Sequence, residues 1–299
     1  MKDGILLIDK PAGMTSHDVV GRVRRLYGTR QVGHTGTLDP MATGLLVVLV
    51  GRAVKASEYA TEHDKGYEAG LKLGLTTDTE DVTGRELTRA DVLPAASAVK
   101  DAVESFRGEG FQVPPMYSAL KRDGEKLCDL ARRGIEVARE PRPMTVYDIN
   151  CQTENEAEGD YHLSVRCSKG TYIRTLCADI GKTLGCGGVM SSLRRTEAGG
   201  FTVGDAVTLE ALEAMTTEER EACLRPVEEL FAALPILRMP PFFARLALAG
   251  NEIYLKKIGA DYPVGQRVRL YDESFFSLGE VRDFEDGRAV KPIKKFRLE

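Results

Sequence analysis

The sequence has no long apolar run. Nothing in it approaches the roughly 18 residues of a membrane-crossing helix, and the apolar segment after Met1-Lys2-Asp3-Gly4 is too short for a secretory signal. A cytoplasmic protein with no membrane partner is expected. Cysteine is sparse and dispersed: Cys128, Cys151, Cys167, Cys177, Cys186 and Cys223 include no Cys-x-x-Cys pair, which argues against a zinc ribbon or a disulfide framework and leaves buried free thiols. Only His17, His34, His63 and His162 are present, and none pairs with another at helical spacing, so no metal site is expected. There is no internal repeat or low-complexity tract. Positive charge is not in excess either, with 41 Lys and Arg against 45 Asp and Glu and a net charge of -4, which speaks against indiscriminate nucleic-acid binding. The balance is uneven along the chain, however. Acidic residues gather at 153–160 and 209–229, while Arg22-Val23-Arg24-Arg25, Lys121-Arg122, Arg132-Arg133, 139–142, Arg194-Arg195 and 291–297 are locally basic, so a positive face on an acidic protein is possible.

What is present suits a globular chain: 299 residues, 42% apolar and 29% charged, enough for one large domain and a small one. Leu234-Pro235 and Met239-Pro240-Pro241 mark the boundary, giving expected domains of 1–235 and 236–299. Gly4–Asp9 reads as a buried strand, and Thr15 or Ser16 caps a helix with Val19, Val23 and Leu26 on one face. Arg52–Tyr59 reads as a helix, Lys65–Leu75 as a half-buried strand, 76–89 as a polar surface connection, Val92–Phe106 as a helix and Gly124–Gly134 as a short basic helix. Met144–Cys151 and Tyr161–Cys167 alternate like an antiparallel pair, Thr171–Leu184 has one apolar helical side, and 185–200 turns into a strand. Two acidic helices, Leu209–Met215 and Glu218–Phe231, precede the boundary; beyond it Arg267–Tyr271, Phe275–Val281 and Arg288–Ile293 are short strands separated by turns.

The chain is organised around Gly33-His34-Thr35-Gly36-Thr37-Leu38-Asp39-Pro40-Met41-Ala42-Thr43-Gly44, followed directly by Leu45-Leu46-Val47-Val48-Leu49-Val50. Three glycines, three threonines and a proline in twelve residues cannot continue a helix or strand, so an irregular loop bearing a carboxylate feeds a buried strand. Asp before Pro is ordinary turn chemistry, but a long loop anchored on a rigid strand is where chemistry tends to sit.

This loop closely resembles the catalytic signature of the bacterial tRNA pseudouridine synthase B family. Asp9-Lys10-Pro11-Ala12-Gly13-Met14-Thr15-Ser16, Lys65-Gly66-Tyr67, Ser168-Lys169-Gly170-Thr171-Tyr172-Ile173-Arg174 and Leu193-Arg194-Arg195-Thr196 match further family motifs in the family's order. The resemblance implies an α+β fold: a catalytic domain with a central mixed, largely antiparallel sheet flanked by helices, a thumb-like insertion at about 114–143, and a small β-rich domain like the PUA RNA-binding module.

It also implies roles. Asp39 is the catalytic carboxylate, Arg174 its cationic partner, and Tyr67 the aromatic that stacks on the target uracil and could move a proton. Leu193 packs on the base, and His34 stacks where the extruded nucleotide had been. Lys10, Lys65 and Tyr172 belong on the substrate side. Taken singly, each has an ordinary reading as packing or surface charge. The implied reaction is isomerisation of uridine 55 in the tRNA T-loop by base flipping, with no redox change, no transferred group and therefore no cofactor. A carboxylate can attack the sugar or C6 of the base, or assist an elimination, and the residues leave these open. The implied partner is the tRNA T stem-loop, bound by a monomer with no obligatory protein partner and a possible accompanying tRNA-folding role. A non-catalytic RNA-binding protein on this scaffold, or a guide-RNA-dependent enzyme, are the competing readings. The complete Asp, Tyr and Arg set speaks against the first. The thumb-like insertion and the absence of long basic tails speak against the second.

Overall fold

The computed structural model describes residues 3–60 and 63–297. The first strand, β1 (Gly4–Lys10), is buried almost throughout. In α1 (Ser16–Leu26) the Thr15 side chain accepts from the Asp18 amide and Asp18 returns the bond to Thr15, so two orphan donors are satisfied at once. Short strand β2 (Val32–His34) lies inside the stretch expected to be all loop, which stays irregular until β3 (Thr43–Val50). The helix expected at 52–59 is a 3-10 turn, Gly51–Ala56, running into the single turn α2 (Ser57–Ala60).

Strand β4 (Lys65–Leu73) ends at Gly74, whose φ of +90° separates it from β5 (Leu75–Thr77), and β5 forms a hairpin with β6 (Glu86–Arg89). Helix α3 (Ala96–Glu104) leads to β7 (Gly108–Gln112). The basic helix expected at 124–134 is divided. Asp123 and Gly124, both at positive φ, turn β8 (Lys121–Arg122) into β9 (Glu125–Lys126), leaving only α4 (Leu127–Arg132) helical. The expected antiparallel pair is β10 (Arg142–Asn155) and β11 (Asp160–Cys167). Then come α5 (Ile173–Thr183), β12 (Gly188–Ala198), β13 (Phe201–Thr202), β14 (Val207–Thr208), α6 (Leu209–Ala214) and α7 (Thr217–Ala222). Pro226, which cannot donate to a preceding turn, stops the second acidic helix short of Phe231; Val227–Phe231 is a 3-10 turn instead.

These strands form one sheet in the order β14-β1-β3-β12-β4-β11-β10-β7, with β2 beside β3 and β13 beside β12. It is mixed but mostly antiparallel, β1/β14 and β3/β12 being the parallel pairs. At β3 both faces are covered, which is why Leu45–Val50 are all buried. One face packs on α1, α3, α5 and α6 through Val19, Val23, Val99, Leu176 and Leu212. The other packs on Leu230, Phe231, Leu278 and Phe296. Strand β4 is half-buried, as its alternation suggested: Tyr67, Ala69, Leu71 and Leu73 are buried on one face, and Glu68 and Lys72 are partly exposed on the other.

Residues 236–295 build a second, five-stranded sheet, β15 (Ile236–Arg238), β17 (Arg267–Tyr271), β18 (Phe275–Phe284), β19 (Gly287–Lys295) and β16 (Ile253–Tyr254), in that order, with α8 (Pro241–Leu248) against it. It has its own apolar core of Leu237, Ala247, Val268, Leu270 and Phe276. Among the described residues no helix is long and apolar enough to cross a membrane. The six cysteines are free; Cys167, Cys177 and Cys186 are buried and the others partly so.

Candidate active site

The loop between β2 and β3 is fixed on both sides of its carboxylate. The buried Ser16 hydroxyl accepts from the Leu38 amide at 2.8 Å and donates to the Leu38 carbonyl at 3.2 Å. On the other side the Pro40 carbonyl accepts from the Gly13 amide at 2.8 Å and from Lys10 Nζ at 3.3 Å. Asp39 is therefore held at its neighbours, and its side chain is free to meet something else. Gly44 closes the loop. Its φ is +96° and a Cβ there would lie 2.3 Å from the Arg195 carbonyl, so only glycine lets β3 start this close to β12.

What Asp39 meets is Arg174. Arg174 Nε lies 2.9 Å from Asp39 Oδ2, with Nη2 3.4 Å from Oδ1. The arginine is buried on the first turn of α5, with a side chain only 7% exposed against 33% for Asp39, so the pair opens outward on its carboxylate side. Its other donors are also used. Nη1 bonds the Thr79 carbonyl at 3.1 Å and lies 3.8 Å from buried Asp81, while Nη2 bonds the Tyr117 carbonyl at 2.8 Å. A buried cation so fully matched has one orientation. The helix start that carries it is in turn clamped from β7. Buried Gln112 donates to the Tyr172 carbonyl at 3.0 Å and accepts from the Tyr172 amide at 2.8 Å.

Asp39 opens into a cleft of about 330 Å³ lined by the loop, Lys65, Tyr67, 117–119, 170–174, Leu193 and Arg195. Burial pushes the Asp39 carboxyl above the usual range; Arg174 pulls it back, Asp81 adds to the rise and Lys10 opposes it. Burial pushes the Tyr67 phenol up to about 12 against the pull of Arg195, so it stays protonated at neutral pH. The Tyr172 phenol and the Lys65 ammonium are likewise moved toward their neutral forms by burial.

Of the residues expected at the site, Asp39, Tyr67, Arg174, Tyr172, Leu193 and Lys65 thus share one cleft. Two do not line it. Lys10 is fully buried beneath the loop, its Nζ donating to the carbonyls of Pro11 at 2.8 Å, Met14 at 2.7 Å and Pro40, which makes it a brace for the loop. His34 stands at the end of β2 with Nδ1 buried and unbonded, and burial followed by Arg195 lowers its pKa.

Four residues that shape the site were not among those expected there. Segment 76–89 is not merely a surface connection. Its Asp81 is 5% exposed, bonds Thr79 and Thr83, and faces Arg174. Ser16 and Gln112 gave no periodic signal. Arg195 did: strand alternation puts it on the same side as Leu193, two residues earlier. A larger depression of about 590 Å³ lies apart from all of these, between Lys72, Leu93 and Glu156.

A family model described as "TruB family pseudouridylate synthase (N terminal domain)" matches residues 24–173, and one described as "tRNA pseudouridylate synthase B C-terminal domain" matches 174–232. A protein of Aromatoleum aromaticum named "tRNA pseudouridine synthase B" is 46% identical over 93% of this chain and 88% of its own length. One of the same name from Azoarcus sp. is 49% identical over 84% of this chain and 83% of its own. Among solved structures, one titled "Crystal Structure of a Cbf5-Nop10-Gar1 Complex" superposes with a TM-score of 0.75 at 25% identity, covering 99% of this chain and 85% of that one. Over nearly all of its length, then, the chain belongs to the TruB family of pseudouridylate synthases.

Proposed function

We propose that this enzyme converts uridine 55 in the T-loop of tRNA to pseudouridine, acting as a monomer in the cytoplasm without a guide RNA. The observation that carries the reading is the Asp39–Arg174 pair at 2.9 Å, buried on the arginine side and open to the cleft on the carboxylate side. Isomerisation breaks the bond from N1 to the ribose C1′, turns the base and joins C1′ to C5. The proton on C5 leaves, and N1 finishes carrying one. Asp39 supplies the negative charge that the sugar needs as its base departs. Arg174 keeps that carboxylate ionised in a site whose burial favours the neutral acid. Tyr67 and Leu193 sandwich the extruded uracil, which offsets the few kcal/mol that leaving the stack costs. With its phenol protonated, Tyr67 serves as a stacking surface and hydrogen-bond donor before any proton transfer. Because atoms are only rearranged, the chemistry calls for no cofactor.

In this reading residues 1–235 are the catalytic domain and 236–299 a PUA-like module for the RNA backbone. The insertion at 114–143 is a thumb whose base, Tyr117, already touches Arg174 through its carbonyl. Lys10 braces the loop beneath the substrate, Lys65 and Tyr172 line the cleft, and His34 fills the space vacated in the T-loop once the thumb and loop close on RNA. The test is turnover of a bare T-stem-loop transcript by the purified full-length protein. Pseudouridine at the position equivalent to 55 is expected without added protein or RNA. A requirement for a guide or an accessory protein would move the chain to the assembly type seen in its structural neighbours.

A further inference from the structure

The cleft has two electrostatic halves. On one, Arg174 is matched by Asp39 and Asp81. On the other, Arg195 and Lys65 face the cleft with neutral partners. Arg195 is 2% exposed, and its Nε and Nη2 donate to the Leu45 carbonyl at 2.7 Å and the Gly36 carbonyl at 3.0 Å. Lys65 Nζ donates to the His63 carbonyl at 3.0 Å. Among the described residues neither forms an ion pair with a carboxylate, and Asp64, which is near Lys65, accepts a bond from the Tyr147 hydroxyl at 3.1 Å. Burial lowers the Lys65 pKa, and Arg195 and nearby Lys169 lower it further. A desolvated guanidinium is normally retained with a counter-charge. Here the protein provides it with neutral partners alone, the two carbonyls and the Tyr67 hydroxyl, and leaves it in the wall of the cleft.

The reaction itself says where an anion is needed. The base must turn while the ribose stays in front of Asp39, so the substrate has to be gripped by something other than the base. We propose that Arg195 and Lys65 seat a backbone phosphate of the extruded nucleotide and so anchor the ribose while the uracil rotates. The proposal rests on the cleft being the pocket for the target nucleotide. It assigns Arg195 as a binding residue and gives Lys65 a specific ligand. Charge-assisted bonds from a planar guanidinium and an ammonium suit a phosphate, and their strength in this buried setting helps offset extrusion.

The experiment uses three T-stem-loop RNAs: one unmodified, and two each carrying a single uncharged methylphosphonate linkage, 5′ or 3′ of the target uridine. Turnover of the unmodified RNA by the wild-type enzyme reports on the parent reading alone. At one of the two linkages the wild type is expected to lose about tenfold or more in kcat/KM. Lys65→Met and Arg195→Gln should be slower on unmodified RNA yet lose little further at that same linkage. Arg195 also ties down carbonyls of β3 and of the carboxylate loop, so thermal melting accompanies each variant, and Lys65→Met, whose side chain makes one bond to a loop carbonyl, decides the case if Arg195→Gln unfolds. No loss at either linkage with the wild type, or an undiminished loss in Lys65→Met, overturns the phosphate seat while leaving the parent reading intact.

Discussion

The two sheets of this protein handle polar residues in opposite ways. Eleven polar or charged residues are buried among those described. Ten, including Lys10, Asp81, Arg174 and Arg195, lie in the first 195 residues, and only Ser277 lies in the second sheet. There the charges stay outside as short-range pairs, such as Lys291–Glu252 at 2.8 Å and Arg282–Glu280 at 2.9 Å, over an apolar core. The second sheet is built as stability alone would build it, because exposed pairs contribute little and cost little. The first accepts the penalty of desolvated charge around one cleft. Where a fold keeps expensive charges dry, and arranges them so that one faces outward, the arrangement serves chemistry more than stability.

That contrast can be broken by substitution. Asp39→Asn removes the outward-facing charge and is expected to abolish isomerisation while leaving tRNA affinity within about tenfold, ~1.4 kcal/mol. Turnover and binding measured on one preparation check this, and residual activity near that of the wild type would remove Asp39 from its role. Arg174→Met comes next. It leaves buried Asp81 and half-buried Asp39 without their cation, a destabilisation of about 3–5 kcal/mol at most, and it shifts a pH limb. Burial already raises the Asp39 pKa, and Arg174 opposes that rise. In the proposed reaction the ionised form acts, so the wild type should lose kcat/KM as pH falls through the raised pKa, and the variant should lose it at higher pH. An unmoved acid limb in residual activity would mean that another group controls it. Gln112→Leu orphans the Tyr172 amide and carbonyl. A loss of about 1–3 kcal/mol in stability and about tenfold to a hundredfold in turnover is expected, because the start of α5 loses its clamp. Smallest of all, Glu252→Gln in the second sheet should change neither the melting midpoint nor turnover; a marked drop in either would undo the contrast.

Much of the site was readable because short motifs carried it. Asp39 announced itself by a glycine- and threonine-rich loop followed by six apolar residues, although both ends of that stretch are strand, and Arg174 and Tyr67 by the motifs around them. Strands β1, β3, β10 and β11 showed their alternation or apolar runs. Asp81, Ser16 and Gln112 did not show themselves. A buried polar residue is defined by partners distant in sequence, and Gln112 meets Tyr172 sixty residues on. Segment 76–89 had the composition of an exposed turn and was read as one, although Thr77 and Asp81 are buried against the site. Residues 124–134 were misread for a local reason: Asp123-Gly124 makes a hairpin turn that takes the first residues out of helical geometry. Lys10 could not be separated from the substrate-facing lysines by motif alone, since burial under the loop is a property of the assembled sheet.

The approach of Gly44 to the Arg195 carbonyl has a consequence for biosynthesis. It joins two segments some 150 residues apart, so during translation the carboxylate loop is made early but waits for its neighbour. Until the strand that begins at Gly188 has emerged from the ribosome, the cleft lacks a wall. The cleft is therefore incomplete through the first two-thirds of the chain's synthesis.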